Sequence, residues 1–583
     1  MRLLVSLLLI SSSLLAQDNR DDLTPLQIGY EVTIRDDKTT VQVDLDVHNL
    51  ARANTRVAMP TWTPGAYGVG SYGDRVDGLT VTGDGRDLQA LRIDPLTWSI
   101  ETSGVRTMRV SYTIKQRPGR FGSRASGDAK TGMQVSGPST FLYVVGAKDR
   151  PVTVRYAMPA GWKFANGLLV TDDPMVRRAR DYDTFIDAPT IFGIFKQHDF
   201  EVNGTPFQCV FFENAQRYDF DIPAFVDLCK RIVTYQGEMF GSFPFPNYVF
   251  LFTLPGGGGL EHLNSTSIGL NSQAQKRDPR AGAFVTAHEF FHLWNVKRIR
   301  PKSLGPFDYE HENYTGNLWV SEGWTSYYGD LTLVRTGITS PEDLLASYTR
   351  YIATELNKEG RHEHSVYWAS RNVWHRDRSG PARVDYYAKG EILGTMIDLK
   401  IRHETNNRKS LDDVVVFLNR WFAERGTGFE EGDIERACTA ISNYDFSEFF
   451  ARHVRGVLDP PLAEYFAYAG IDYAEEHHTM ASLPFDARRG RNGFAISNAK
   501  ESKVVEAGDV ILSFDGQANV RAATFLRDHK PGDRVKLEVR RAGQTSAVEV
   551  ALVGQKRMIP SLRFAEKPTE QQLRIRESWL TGK

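Results

Sequence analysis

Alternation of apolar and polar positions governs the first third of the chain. Thr40-Val41-Gln42-Val43-Asp44-Leu45-Asp46-Val47 and Arg106-Thr107-Met108-Arg109-Val110-Ser111-Tyr112-Thr113-Ile114 carry apolar side chains at every second residue, the pattern of strands with one buried face. Gly and Pro interrupt these runs, as at Pro64-Gly65 and Gly83-Asp84-Gly85, where turns are expected. The stretch from Leu26 to Phe200 therefore predicts an all-β region, read as a β-sandwich-like N-terminal domain. From Ile222 the period lengthens to that of a helix, as in Phe225-Val226-Asp227-Leu228-Cys229-Lys230-Arg231-Ile232-Val233. Helical patterning continues through Val414-Val415-Val416-Phe417-Leu418-Asn419-Arg420-Trp421-Phe422 to about residue 470. Strands return around Asp509–Gly516 and Asp533–Val539. The pattern predicts a multidomain chain: an all-β domain over 17–200, a mainly α domain over 201–480, a small β-rich domain over 481–556 and a tail over 557–583.

The first residues stand apart. Met1-Arg2 precedes Leu3 to Leu15, built only from Leu, Val, Ile and Ser, and Ala16 then leads into the polar run Gln17-Asp18-Asn19-Arg20-Asp21-Asp22. The apolar stretch is shorter than the ~20 residues that span a bilayer and has the form of a signal peptide. It predicts cleavage after Ala16, with 1–16 removed, and export to the periplasm or the extracellular space. No later run is long enough to cross a membrane, so no stable membrane insertion is expected.

Composition changes little in this picture. With 583 residues, 41% hydrophobic and 25% charged, the chain has core material for several domains and is neither disordered nor collagen-like. Lys+Arg 71 against Asp+Glu 72 leaves a net charge of −1, which gives no reason to expect nucleic acid as a partner. Three cysteines exclude a disulfide framework. Cys209 and Cys229 are read either as one bridge or, with Cys438, as buried free thiols.

The chemistry is concentrated in Thr286-Ala287-His288-Glu289-Phe290-Phe291-His292-Leu293-Trp294. Two histidines four apart on a helix share one face, so both imidazoles reach one Zn²⁺, and the Glu between them handles a bound water. With 14 histidines in the chain, the pattern is expected by accident only on the order of 0.02 times. A catalytic zinc needs a third protein ligand and an open position. Asn317-Leu318-Trp319-Val320-Ser321-Glu322-Gly323-Trp324 supplies a carboxylate in an apolar helical context, which is costly unless paired or bound to a metal. Alone, Glu322 reads equally as a helix-surface residue or a cap; beside the zinc motif it is the favoured third ligand. One Zn²⁺ per chain is expected, held by His288, His292 and Glu322.

These motifs, with Pro60-Thr61-Trp62-Thr63-Pro64-Gly65-Ala66-Tyr67, Gly258-Gly259-Leu260-Glu261-His262 and Tyr386-Tyr387-Ala388-Lys389-Gly390, form an ordered set. In that set the sequence resembles the glycyl aminopeptidase family of zinc metallopeptidases, which usually carry a C-terminal PDZ-type domain. The family lies within the gluzincin clan of thermolysin-like catalytic domains. The resemblance implies a thermolysin-like fold for the central domain and a PDZ-like fold for 481–556. It also implies Glu289 as general base and Tyr387 as donor of a hydrogen bond to the tetrahedral oxyanion. Gly258-Gly259-Leu260-Glu261-His262 is similar to the Gly-x-Met-Glu-Asn exopeptidase signature of the larger clan aminopeptidases, with Leu260 and His262 departing from it. The likeness implies that Glu261 holds the substrate's α-amine and that the backbone of Gly258 and Gly259 lines the peptide groove. Without the resemblance, Gly256 to Gly259 reads as a flexible surface loop and Tyr387 as a buried structural tyrosine.

Other polar clusters are discounted. Arg361-His362-Glu363-His364 reads as an exposed polar stretch, His477-His478 as linker, and Lys297-Arg298-Ile299-Arg300-Pro301-Lys302 as a solvated helix end. The PDZ-like segment is read as serving either packing or ligand binding, by strand addition in the second case. The expectation is an exported zinc aminopeptidase acting on peptides, with a preference for small first residues, Gly or Ala, implied by the resemblance. A zinc endopeptidase of other specificity and a non-catalytic peptide-binding protein are the alternatives; the intact Glu289 argues against the latter.

Overall fold

A computed structural model describes residues 25–115, 124–125, 131–213, 219–375, 383–490, 493–499, 502, 504–518 and 520–583. The expected signal peptide lies outside the described residues. The chain divides into two compact units: Met1–Lys230 with Phe243–Gly282 and Pro306–Asn313, and Arg231–Ser242 with Ala283–Gly305 and Tyr314–Lys583.

The first unit is built mainly from sheet. Its largest sheet has eight strands, with β1 (Gln27–Ile34), β2 (Thr40–His48), β3 (Thr107–Lys115) and β4 (Val152–Ala157) at its centre in the order β4-β1-β2-β3. The pairing keeps the apolar alternation in register: Val43 lies opposite Val32 on β1 and Tyr112 on β3, and Leu45 opposite Tyr30 and Val110. A slip of one residue would turn this whole set toward solvent, so the pattern itself selects the register. Two four-stranded sheets complete the domain, and residues such as Val57, Trp98, Met133 and Phe192 share one core with the large sheet. The hydroxyls of Tyr30 and Tyr112 are satisfied inside that core by the carbonyls of Leu142 and Thr140.

A fourth sheet in this unit runs across residue 200, the expected boundary. β5 (Lys196–Val202), β6 (Thr205–Glu213), β7 (Tyr248–Leu254), β8 (Gly259–Glu261) and β9 (Ser265–Gly269) form one mixed sheet in the order β5-β6-β7-β9-β8. Position 200 falls inside β5, and the segment from 201 opens with strands rather than helices. β7 is a nearly continuous apolar run, buried along its length, as a parallel strand covered on both faces must be. Cys209 on β6 and Cys229 on α1 (Ile222–Phe240) are both buried and free, as is Cys438.

Helices dominate the second unit. α2 (Ala283–Phe291) runs toward a π-helical turn, Trp319–Trp324, that continues directly into α3 (Thr325–Arg335). α4 (Pro341–Leu356) begins with a Ser340–Asp343 capping box, and α5 (Ala388–Glu404) is buried along most of its length. Gln236, in the second half of α1, donates to the Ala287 carbonyl and to Thr332 Oγ1, both at 2.9 Å, and so ties three helices together.

The C-terminal part is a β-rich module on a ribbon. β10 (Ile471–Ser482) pairs along its whole length with β11 (Val553–Phe564), and the strands between them enclose a separate core that includes Phe514, Phe525, Leu537 and Val550. The segment 557–583, expected as a C-terminal tail, contains regular structure. It completes β11 and then forms α6 (Glu570–Thr581), whose Ile575 and Trp579 are buried and whose Trp579 indole donates to the Tyr327 hydroxyl at 3.0 Å. The module is an insertion between elements of the helical body, and position 481 falls inside β10. His477 and His478, read as linker, belong to β10. Among the described residues, no helix is long and apolar enough to cross a membrane.

Candidate metal centre

α2 carries its apolar side chains inward, and the two histidines ride on the same face. His288 lies on the helix; His292 is the first residue past its end, with its N–H still bonded to the His288 carbonyl at 3.2 Å. Phe291 stacks on Tyr328, and Trp294 on Phe240, behind the pair. Rigid aromatic packing on that side fixes the helix against the next one.

Glu322 sits in the π-helical turn. Such turns insert an extra residue into a helix and often mark functional positions. Gly323 and Gly390 explain their own motifs: a Cβ on Gly323 would lie 2.4 Å from the Gly390 backbone, so the turn and α5 meet backbone to backbone. Only glycine allows that approach.

The three expected ligands converge. His292 Nε2 lies 3.0 Å from His288 Nε2 and 3.2 Å from Glu322 Oε2, and His288 Nε2 lies 3.6 Å from the same oxygen. One donor atom from each residue falls within 4.8 Å of the others. All three side chains are buried, Glu322 to 2% exposure. Further contacts orient them. His292 Nδ1 is 2.7 Å from the Asn295 carbonyl; because a carbonyl only accepts, Nδ1 carries the proton and Nε2 presents its lone pair. Ser326 Oγ lies 3.3 Å from His288 Nδ1. Asn295 in turn donates to the Val320 carbonyl at 2.9 Å, and Thr325 to the Asn295 carbonyl at 2.9 Å, bracing the segment that bears Glu322.

Electrostatics favour the ligand forms of these groups. Burial pulls His288 down to about 4, with His292 adding to the effect, against the opposing pull of Glu322. Burial alone would raise Glu322, but the positive charge that His292 carries when both its ring nitrogens are protonated, with hydrogen bonds from the histidines, outweighs it and lowers the carboxyl to about 2. A neutral imidazole and an ionised carboxylate are what a divalent metal requires. Two imidazoles and one carboxylate match the donor set of a catalytic zinc with a fourth position left open. The residues fit the metal.

The remaining expected site residues are placed as follows. Glu289 is buried on α2 beside His288. Tyr387 stands at the N-cap of α5, 38% exposed, its ring centroid 6.0 Å from that of His288; it is not a buried structural tyrosine. In the first unit, Glu261 is buried on β8, Gly259 begins that strand, and Gly258 precedes it with φ +73°. The turn at Pro64-Gly65 lies over the carboxylate: a Cβ on Gly65, whose φ is +86°, would lie 3.0 Å from Glu261 Oε1. His262, where the clan signature has Asn, pairs with Asp187 at 3.3 Å. Among the described residues, none of the discounted clusters belongs to a group of side chains that could hold a metal, but the 297–302 stretch differs from expectation: Lys297 is buried and Arg298 donates to the Leu293 carbonyl at 2.8 Å.

Sequence reasoning missed Asn295, Thr325 and Ser326. The signal for Thr325 and Ser326 was present, since they lie three and four residues after Glu322, the spacing that shares a helix face.

Known proteins bear on this geometry. The M61 glycyl aminopeptidase family matches residues 283–393, and the Peptidase M61 N-terminal domain matches residues 29–194. Among solved structures, the aminopeptidase N family protein from Idiomarina loihiensis superposes with a TM-score of 0.83 at 23% identity, over 95% of this chain and 100% of that one. An M1 zinc metallopeptidase from Deinococcus radiodurans gives a TM-score of 0.49 at 13% identity, over 75% of this chain and 95% of that one. No curated protein matches by sequence. The first structure shares the fold over nearly the whole chain, and the catalytic-domain match begins with the helix that carries His288. The chain carries the N-terminal and catalytic domains of the M61 glycyl aminopeptidase family and is a zinc metallopeptidase.

Proposed function

We propose that the protein is an exported aminopeptidase that removes small N-terminal residues, Gly or Ala, from peptides. The observation that carries the reading is the buried His288–His292–Glu322 cluster with Glu289 between its two histidines. The family supports the reaction, and the motif at Glu261 supports the choice of a free N-terminus.

Zinc, when bound, supplies a water of lowered pKa and a Lewis acid for the scissile carbonyl. Glu289 accepts the proton of the attacking water and passes it to the leaving amine. The Tyr387 hydroxyl donates to the oxygen that gains charge as the carbonyl is attacked. Glu261 binds the substrate's α-ammonium, which sets the register so that one residue is released. The glycines at 258 and 259 let a peptide backbone lie close to β8 and pair with it.

Two further assignments belong to the same proposal. The charged, apolar and small-residue order of Met1 to Ala16 supports a cleaved signal peptide and export. The module on the β10–β11 ribbon is read as PDZ-like, on the strength of its strand pattern and its separate core.

The test compares Gly-, Ala- and Leu-initiated peptides with their N-acetyl forms, in wild type and in Glu261→Ala. Wild type should cleave free termini, fastest for Gly and Ala. Glu261→Ala should lose one to two decades in kcat/KM on free termini, about 1.5–3 kcal/mol, the worth of a hydrogen bond to a charged group. Internal cleavage of blocked peptides at an equal rate would make the protein an endopeptidase. An unchanged preference in Glu261→Ala would leave the class intact and assign the amine to another acid.

A further inference from the structure

Tyr387 has an unusual support. It occupies the N-cap of α5 with helical φ −70° and ψ −68° and makes no side-chain cap. The first turn of the helix is instead organised by Asp385. The Asp385 carboxylate accepts the Tyr387 N–H at 2.9 Å, and its carbonyl accepts the Lys389 N–H at 2.9 Å. An aspartate bonding the backbone two residues on forms a rigid local turn. Asp385 is tethered in its turn: its own N–H donates to Glu355 Oε2 at 3.1 Å.

Glu355 lies in the last turn of α4 and is 1% exposed. Lys358 bonds its other oxygen. Just beyond, Asn357 exchanges hydrogen bonds of 2.7 and 2.8 Å with the backbone of Met558 on β11, which fixes the end of α4. A carboxylate this deeply buried is costly, and an apolar side chain of similar size often serves stability as well or better. Packing alone therefore gives no reason for a polar acceptor here. Its two oxygens are used by one lysine and by one backbone N–H two residues from Tyr387.

We propose that Glu355 is a positioning residue for Tyr387, acting through Asp385 to hold the phenol where it donates to the reacting oxygen. The proposal rests on the catalytic role assigned above to Tyr387. Because Glu355 acts only through the placement of that hydroxyl, its removal affects turnover more than ground-state binding. Displacement of a catalytic group by about 1 Å costs on the order of a hundredfold in rate.

A double-mutant cycle tests this, with zinc content and melting temperature measured for every variant. Glu355→Ala should keep its zinc and lose roughly ten- to hundredfold in kcat with KM nearly unchanged. Glu355→Gln, whose amide oxygen still accepts the Asp385 N–H, should recover most of the rate. Backbone amide exchange over 385–389 should quicken in Glu355→Ala and stay slow in Glu355→Gln. The deciding arm is Tyr387→Phe combined with Glu355→Ala, which should be no slower than Tyr387→Phe alone. If the two losses multiply instead, Glu355 does not act through Tyr387 and the proposal falls. If Tyr387→Phe alone turns over like wild type, the catalytic reading of Tyr387 fails first. Should Glu355→Ala not fold, Asp385→Ala breaks the same relay at its other link and passes through the same cycle.

Discussion

The zinc helix and the β10–β11 ribbon contain the same chemical groups in opposite settings. Around α2, two histidines and a glutamate are buried and converge to within 3.6 Å of one another. On β10, His477 lies 3.8 Å from Glu475 and His478 lies 3.0 Å from Glu476, with the imidazoles 68% and 51% exposed. Neighbouring residues of a strand point to opposite faces, so His477 and His478 cannot reach one ion, whereas a spacing of four on a helix brings both rings together. Burial supplies the rest. In the helix, desolvation and mutual charge hold His288 neutral and Glu322 ionised; on the ribbon, water screens each pair, and exposed pairs are worth ~0–1 kcal/mol. Residue type proposes a metal site, and period and burial decide it.

The contrast is broken most severely at the helix. His292→Ala and Glu322→Ala should each leave the protein nearly free of zinc by elemental analysis and without measurable peptidase activity, since each removes one of the three donors proposed to hold the metal. Glu289→Gln separates holding the metal from using it. That variant should keep one zinc per chain yet lose roughly 10²–10⁴-fold in rate, because an amide cannot accept the proton of the attacking water. Full zinc in both ligand variants would remove the site, and near-wild-type turnover in Glu289→Gln would remove the base.

A smaller effect separates the regions by pH in zinc-stripped protein. The His288 pKa is depressed from 6.5 to about 4 in the fold. As pH falls below 6.5 the unfolded chain takes up a proton that the folded chain refuses until about 4, so stability declines across that window. The depression amounts to roughly 3 kcal/mol in full. Glu322, lowered to about 2, acts in the same direction at lower pH: its contribution is present above 4.5 and is lost as pH falls toward 2. Melting of the stripped protein should therefore shift steadily downward from pH 6.5 to 4, and His288→Gln should flatten the curve. A flat wild-type curve over that range would mean that the cluster is more solvated than its geometry shows.

The legibility of the two regions differs for the same physical reason. A helical pair four residues apart is a local signal, so the zinc motif could be read directly, as could the alternation of β1 to β3. Glu322, thirty residues beyond His292, was readable only as a carboxylate in apolar surroundings; the π-helical turn that presents it leaves no period. The mixed sheet was missed because β7 is apolar on both faces and its run from Tyr248 to Leu254 does not alternate. Asp385 and Glu355 were invisible as a pair, since a backbone N–H has no sequence signature and its acceptor lies thirty residues away. The expected tail hid α6, where Ile575 and Trp579 alone are buried in an otherwise polar segment and the docking partners are distant in sequence.

The smallest expected effect is at the ribbon, and it is the one that tests whether burial is the discriminator. His477→Ala with His478→Ala removes two imidazoles that pair only with exposed glutamates beside them. Surface substitutions of this kind change stability by about 0.5 kcal/mol or less. The backbone pairing of β10 with β11 runs from Ile471 to Ser482 and does not depend on those side chains, so the module should stay seated. Zinc content, melting temperature and turnover should all match wild type. The informative measurement is a titration with excess zinc. If wild type takes up a second equivalent and the double variant does not, exposed histidines on a strand suffice to hold the metal here, and the distinction drawn between the two regions would rest on affinity rather than on the presence of a site.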